Sequence, residues 1–228
     1  MKSDSNVSFG LTGNQLKIIA MITMTCDHVG LQLLPQWTFL RILGRLALPI
    51  YAWMIAEGCR HTRSRKRYLM RLASMAALCQ IVYFFAMGSL YMCILVTFSL
   101  SVCLIWALEY GKQQNTLKAA LICQSIVALV CYICIILPRQ IPGFEVDYGI
   151  FGVLLPVLIY FGPSKVLFLT LGLILLALSL GGNQWWAFTA VPLLMLYNGR
   201  KGTANIGRLF YWYYPAHLAA IYLISLIL

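Results

Sequence analysis

The chain has 228 residues, of which 61% are apolar and 10% charged, and a formal net charge of +11. Soluble globular domains carry roughly 25% charged and 45–50% apolar residues, so water is not the main solvent of this chain. No nucleic-acid partner follows from the positive charge, because in a membrane chain such charge is first read loop by loop.

Residues 1–13 read as a polar cytoplasmic tail. They lack the long apolar region and small-residue cleavage site of a removed leader, so the first span is expected to be a retained signal-anchor. Stretches of the ~20 apolar residues that a helix needs to cross ~30 Å of hydrocarbon then recur along the chain. Leu90–Leu108, Ala119–Leu137 and Val166–Leu180 hold no charge, and Leu209–Leu228 holds only His217 as a titratable group. These segments are apolar on every face, whereas barrel strands alternate over ~10 positions. Lys and Arg concentrate at Arg60–Arg71, Lys112, Lys118, Lys165 and Arg200–Arg208, with Lys2 and Lys17 at the start. Placing these clusters in the cytoplasm gives about nine spans with the N-terminus inside and the C-terminus outside. They fall near 15–34, 38–58, 69–87, 90–109, 117–137, 147–162, 164–181, 185–198 and 209–228, the eighth short enough to be re-entrant. The expected class is an all-α polytopic integral membrane protein with one transmembrane helical domain over 14–228 and no loop long enough for a soluble domain.

Nearly all of the eight cysteines fall inside predicted spans, where a free thiol behaves as a small apolar group. Cys131 and Cys134 form a CxxC in mid-helix with neither a histidine nor a second CxxC nearby, so no metal site is expected.

Ionisable groups inside a span cost ~2.5–3.5 kcal/mol each on insertion scales and normally mark function. The first span carries Asp27 and His28, the second Arg41, Arg45 and Glu57, and the last His217. Counting ~1.5 Å per residue places both His28 and Arg45 ~18 Å from the cytoplasmic edge. A short turn around Pro35 makes the two helices antiparallel neighbours, so Arg45 is expected to pair with Asp27. Adjacent residues diverge by ~100° on a helix, so Asp27 does not orient His28. The bland alternative is a structural ion pair beside a satisfied histidine. Arg41 and Arg45 share one face, with Gly44 beside them and Pro49 a turn below, which favours close backbone approach, a kink and an arginine-lined cavity for a carboxylate, phosphate or oxyanion. Arg41 also fits a side chain snorkelling to the outer interface.

The segment EGCRHTRSRKRYLMR after the second span reads first as a topological signal. Its functional reading is a docking surface for a cytoplasmic polyanion such as the phosphates of a nucleotide-like cofactor, through Arg60, His61, Arg63 and Arg67, and anionic lipid would bind there too. His217, in YWYYPAHL, lies near the midplane, where it could share a cavity with His28. The aromatics Trp212, Tyr213 and Tyr214 read as packing or interface anchors, with Tyr214 retained beside Arg41, Glu57 and His217 as a candidate substrate contact.

The runs LKIIAMITMTCDHVG, LRILGRLALPIYAWMIAEGCRHTRSRKRYLMRL and FYWYYPAHLAAIYLI resemble the TraX family of bacterial membrane proteins. The first two cover the first third of the chain and the third its end, and the middle spans match only as apolar helices. The resemblance implies an acetyltransferase of the bacterial cytoplasmic membrane, of the kind that acetylates the N-terminus of F-type pilin, related to the transmembrane acyltransferases and using acetyl-CoA as donor. It implies His28 as the catalytic residue, and Arg45, Glu57 and Gly58 match the family pattern. The acceptor stays open between a pilin-like membrane peptide and a small molecule. Acyl transfer needs a base, which an imidazole of pKa ~6.5 supplies, and a stabiliser for the oxyanion, for which Arg45 is the first candidate unless Asp27 consumes its charge. An acyl-cysteine at Cys26 is a weaker reading, since apolar surroundings raise a thiol's pKa. The rivals are a proton-coupled permease with Asp27, His28, Arg45 and His217 as its relay, which no inverted repeat supports, and a non-catalytic scaffold.

Overall fold

A backbone surrounded by apolar side chains must bond to itself, and in the computed structural model it does so in helices. The structure describes residues 10–203 and 206–227, so most of the polar tail expected over 1–13, Lys2 among it, lies outside the described residues, as does the side chain of Arg208. The helices are α1 (Gly13–Gln32), α2 (Thr38–Gly44), α3 (Ala47–His61), α4 (Arg65–Met87), α5 (Ile94–Gln114), α6 (Leu117–Cys131), α7 (Leu137–Gln140), α8 (Gly149–Phe161), α9 (Lys165–Leu180), α10 (Ala190–Met195) and α11 (Gly207–Ser225). A π-turn, Tyr132–Ile136, joins α6 to α7, and a 3-10 segment, Gly182–Thr189, precedes α10.

Helices α1, α4, α6 and α9 start at one end of the bundle, and each is capped there by a hydroxyl. Thr12, Ser64, Thr116 and Ser164 accept from the amides of Gln15, Arg67, Ala119 and Leu167, and Gln15 closes a capping box by accepting from the Thr12 amide at 2.8 Å. Most of the basic residues gather at this end. The start of α1 is closed over by the chain between α10 and α11. The amides of Leu11, Gly13 and Asn14 donate to the carbonyls of Leu196, Arg200 and Lys201 at 2.7, 2.8 and 2.9 Å. These contacts use donors that the first helical turn cannot satisfy itself.

Helix α3 is the axis of the packing. It touches α1, α5, α8 and α9, and buries Ala47, Leu48, Ile50, Ala52, Trp53, Ile55, Ala56 and Cys59. The periphery is apolar too. Phe84 and Phe85 on α4, Leu117 and Leu129 on α6, and Leu171 and Leu178 on α9 lie exposed, a surface suited to hydrocarbon rather than water. Four stretches, Thr38–His61, Arg65–Phe85, Ile94–Gln114 and Leu117–Gln140, are long and apolar enough to cross a membrane, and α8 and α9 are shorter apolar helices.

The second predicted span is broken in two. Pro49 has no N–H to give the Arg45 carbonyl, and the amides of Arg45 and Leu46 bond instead to Ile42 and Leu43 at 3.1 and 3.2 Å, tightening the turn between α2 and α3. The eighth predicted span is the 3-10 segment followed by α10.

Close approach of α2 to α1 depends on Gly44, where a Cβ would stand 2.3 Å from Asp27 Cβ and Oδ1. We expect Gly44→Ala to cost ~1–3 kcal/mol in unfolding of the detergent-purified protein, overpacking exceeding the ~0.5–1 kcal/mol that alanine gains in a helix. Gly207→Ala, with nothing within 4 Å, is the control and should not destabilise. Equal stabilities would contradict the packing described.

Candidate functional site

At the end opposite the basic connections, α1, α2, the α7–α8 loop, the start of the 3-10 segment and α11 enclose a cavity of about 940 Å³. Its polar lining includes Asp27, His28, Arg41, Arg45, Asp147, Tyr148, Gln184 and Tyr214.

Asp27 is held by two arginines of α2. Arg41 Nη1 donates to Oδ2 at 2.7 Å, and Arg45 Nη2 donates to Oδ1. Arg41 therefore turns inward to the carboxylate instead of snorkelling to an interface. Arg45 has no nitrogen left over: Nε donates to the Arg41 carbonyl at 3.3 Å, and Nη1 to Gln184 Oε1 at 3.3 Å and to the Tyr148 hydroxyl at 3.5 Å. Two cations against one carboxylate leave this cluster with a net positive charge.

His28 stands next to Asp27 on α1 and takes its partner from α11. His217 Nε2 lies 3.0 Å from His28 Nδ1, and His217 Nδ1 lies 2.9 Å from the carbonyl of Tyr213. A carbonyl only accepts, so His217 carries its proton on Nδ1, and in the neutral pair its Nε2 accepts from His28 Nδ1–H. In that tautomer His28 Nε2 carries no proton, and the Met24 backbone also bonds to the His28 ring. Tyr214 meets both rings edge-on, at 6.4 Å from His28 and 5.3 Å from His217, and Tyr213 anchors its helix to α1 by a 2.7 Å hydroxyl contact with Thr25.

Three further wall residues, Asp147, Tyr148 and Gln184, lie outside the α-helices. Asp147 lies in the loop between α7 and α8, where its Oδ1 accepts from the Tyr91 hydroxyl at 2.6 Å and its carbonyl from Thr97 Oγ1 at 2.8 Å. Tyr148, at φ +59°, holds a left-handed conformation unusual for a side chain of its size. Gln184 stands near the start of the 3-10 segment. A left-handed non-glycine residue cannot be read from a single chain, and Gln184 is one of two amides between a Gly-Gly pair and two tryptophans.

A second cavity of about 430 Å³ opens at the basic end and is lined by Lys17, Glu57, His61 and Lys201, among others. Met24, Tyr51, Ile94 and Tyr214 line both cavities and form the wall between them. Glu57 sits here, away from His28. Its Oε1 accepts from Arg60 Nη1 at 3.0 Å and Lys165 Nζ at 2.8 Å, and His61 approaches Oε2 at 3.5 Å. Arg60 Nη2 also donates to the carbonyls of Ile159 and Tyr160 at the end of α8. Arg63 and Arg67 are exposed and line neither cavity, whereas Lys17 and Lys201 belong to the lining. Among the described residues no three His, Cys, Asp or Glu side chains group as metal ligands.

Desolvation pushes the Asp147 carboxyl up to about 6, against the opposing pull of the Tyr91 hydroxyl and the charge of Arg45. The folded protein then holds a proton that an unfolded aspartate, of pKa ~3.9, has lost, so this group's stabilisation is complete below ~4 and is lost as pH rises through 6. Asp147→Asn, which keeps an acceptor for Tyr91, should abolish that component. The melting temperature of the wild type is expected to fall relative to the variant between pH ~4 and ~7 and to run parallel above it. Parallel profiles throughout would contradict the shift.

The chain is similar to "Probable fimbrial assembly protein FimC, serogroup H1" of Dichelobacter nodosus, at 29% identity over 241 residues that take in 91% of this chain and 93% of the relative. It is also similar to an uncharacterized protein of Rickettsia prowazekii (strain Madrid E), at 50% identity over 38 residues, 17% of this chain and 15% of that protein. No solved structure matches. The family described as TraX protein matches residues 12–225, nearly the whole of the chain, and the chain belongs to that family.

Proposed function

We propose that the chain is a membrane-embedded acetyltransferase of the bacterial cytoplasmic membrane. It moves an acetyl group from acetyl-CoA to an acceptor amine or hydroxyl, and crosses the bilayer about nine times with its N-terminus in the cytoplasm. The observation that carries this reading is the His28–His217 pair, with His217 anchored on the Tyr213 carbonyl, which favours a proton-free Nε2 on His28. A tautomer imposed by a second group is what a general base requires.

The acceptor's lone pair attacks the thioester carbonyl carbon while its proton passes to His28 Nε2. The tetrahedral intermediate collapses, the C–S bond breaks, and the departing thiolate takes the proton back from His28, leaving free thiol and acetylated acceptor. His217 holds the ring of His28 and spreads the positive charge that appears on it. Asp27, Arg41 and Arg45 position α1 against α2, with Arg45 fully engaged. The donor enters from the cytoplasm through the smaller cavity. Its phosphates meet Lys17, Lys201 and His61 at the mouth, with Arg60, Arg63 and Arg67 on the neighbouring basic surface, where anionic lipid also docks. Its pantetheine arm passes Met24, Tyr51, Ile94 and Tyr214 to reach His28. The similarity to a probable fimbrial assembly protein of Dichelobacter nodosus supports a pilin-like peptide as acceptor, and a small molecule satisfies the same chemistry.

Two cavities that meet at a thin wall also suit a proton-coupled permease, with Asp27, His28, Arg45 and His217 as its relay. The two readings part on thiol release. Membranes holding equal amounts of wild type or His28→Ala are given acetyl-labelled acetyl-CoA and host extract, and free thiol and labelled products are followed by mass spectrometry. Wild type should transfer label and His28→Ala should lose ~10²–10⁴-fold of the rate, with His217→Ala between them. Absence of thiol release from the wild type, together with proton-driven solute uptake by vesicles containing it, would favour the permease.

A further inference from the structure

An oxyanion needs a hydrogen-bond donor that is not already in use, and the cavity contains one that no intramolecular contact explains. Gln184 is 3% exposed, and its side-chain Nε2 is buried without a partner among the described residues. Leaving such a donor unsatisfied forfeits its hydration without return, so native structures seldom keep one without a use. The other two buried orphan donors, the indole nitrogens of Trp53 and Trp106, belong to residues that line neither cavity. Gln184 lines the cavity that holds His28.

The amide is also fixed in orientation. Arg45 Nη1 donates to Gln184 Oε1 at 3.3 Å, which identifies the oxygen side of the amide and leaves both N–H groups of Nε2 free. Gly181 and Gly182, both left-handed at φ +65° and +53°, turn the chain at the end of α9, and the Gln184 amide closes that turn on the Gly181 carbonyl at 3.1 Å. Trp185 and Trp186 then face outward while Gln184 faces in. Arg45 is a poor oxyanion donor by comparison, since each of its nitrogens is engaged and freeing one would uncouple Asp27.

We infer that Gln184 Nε2 binds the carbonyl oxygen of the acyl group and stabilises the oxyanion formed on it, with Arg45 acting as the positioning residue that aims the amide. This rests on the acetyltransferase reading above and names a catalytic residue within it. As the acceptor's lone pair forms its bond to the carbonyl carbon, the π pair moves onto oxygen, and the Nε2–H bond strengthens. When the pair returns and the C–S bond breaks, that bond weakens again, and the acceptor's proton follows the path through His28 already given.

The test uses the full chain in lipid nanodiscs with wild type, Gln184→Leu and the nearly isosteric Gln184→Glu, which keeps the shape but offers an acceptor where the donor stood. Both variants should lose ~10²–10³-fold in kcat with KM for acetyl-CoA within ~3-fold, as removal of a transition-state donor predicts. The second readout needs no turnover. In a His28→Ala background, infrared difference spectra of bound acetyl-CoA labelled with ¹³C at the acetyl carbonyl should show a lower C=O frequency than in His28→Ala/Gln184→Leu. Wild-type kcat in both Gln184 variants, or the same carbonyl frequency with and without Gln184, would overturn the assignment. If the wild type itself releases no thiol, the acetyltransferase reading fails and the role of Gln184 fails with it.

Discussion

Asp27 carries a charge that the middle of an apolar helix pair does not accept alone, and Arg41 and Arg45 answer it from the neighbouring helix. Such buried pairs add little net stability, because desolvation offsets most of the attraction, but removing one partner is costly and the geometry is exacting. The exactness organises this end of the molecule. Gly44 must lack a side chain for the helices to come close enough. Arg45, held by Asp27 on one nitrogen, turns another to Gln184 and Tyr148, which ties two segments more than a hundred residues away to the first two helices.

The chemistry follows from which groups this clamp leaves uncommitted. Asp27, Arg41 and Arg45 are engaged with one another and shape the cavity wall. His28, one residue along, diverges from that face by ~100° and meets His217 from the last helix. The first and last helices thus bring two imidazoles together. On the other side of Tyr51 and Tyr214 the smaller cavity carries opposite priorities, with Glu57 absorbed by Arg60 and Lys165 while Lys17 and Lys201 line the mouth.

Depth along a regular helix is simple arithmetic, and for that reason the shared level of His28, Arg45 and His217 was legible in the sequence, as was the Asp27–Arg45 pair across a short turn. Rotation about a helix axis was less legible, and Arg41, which reads equally well as an interface residue, proved to face Asp27. Glu57 has the look of an intramembrane acid, yet it is neutralised by Lys165, more than a hundred residues away, a partner no local pattern announces. Asp147, Tyr148 and Gln184 lie in loops and a 3-10 segment, where neither period nor spacing distinguishes a wall residue from a connector. The break at Pro49 was readable as a missing donor, but the tighter turn that answers it depends on what packs alongside.

The arrangement stands or falls on the protonation of one imidazole, and the chain has only three histidines to distinguish. The most direct measurement is ¹⁵N NMR of the protein labelled at histidine, with His61 assigned by substitution, near neutral pH in lipid. The hydrogen-bond chain requires His28 to show a protonated Nδ1 and a bare Nε2, and His217 a protonated Nδ1. A His28 protonated on Nε2, or a His217 bare on Nδ1, would contradict it.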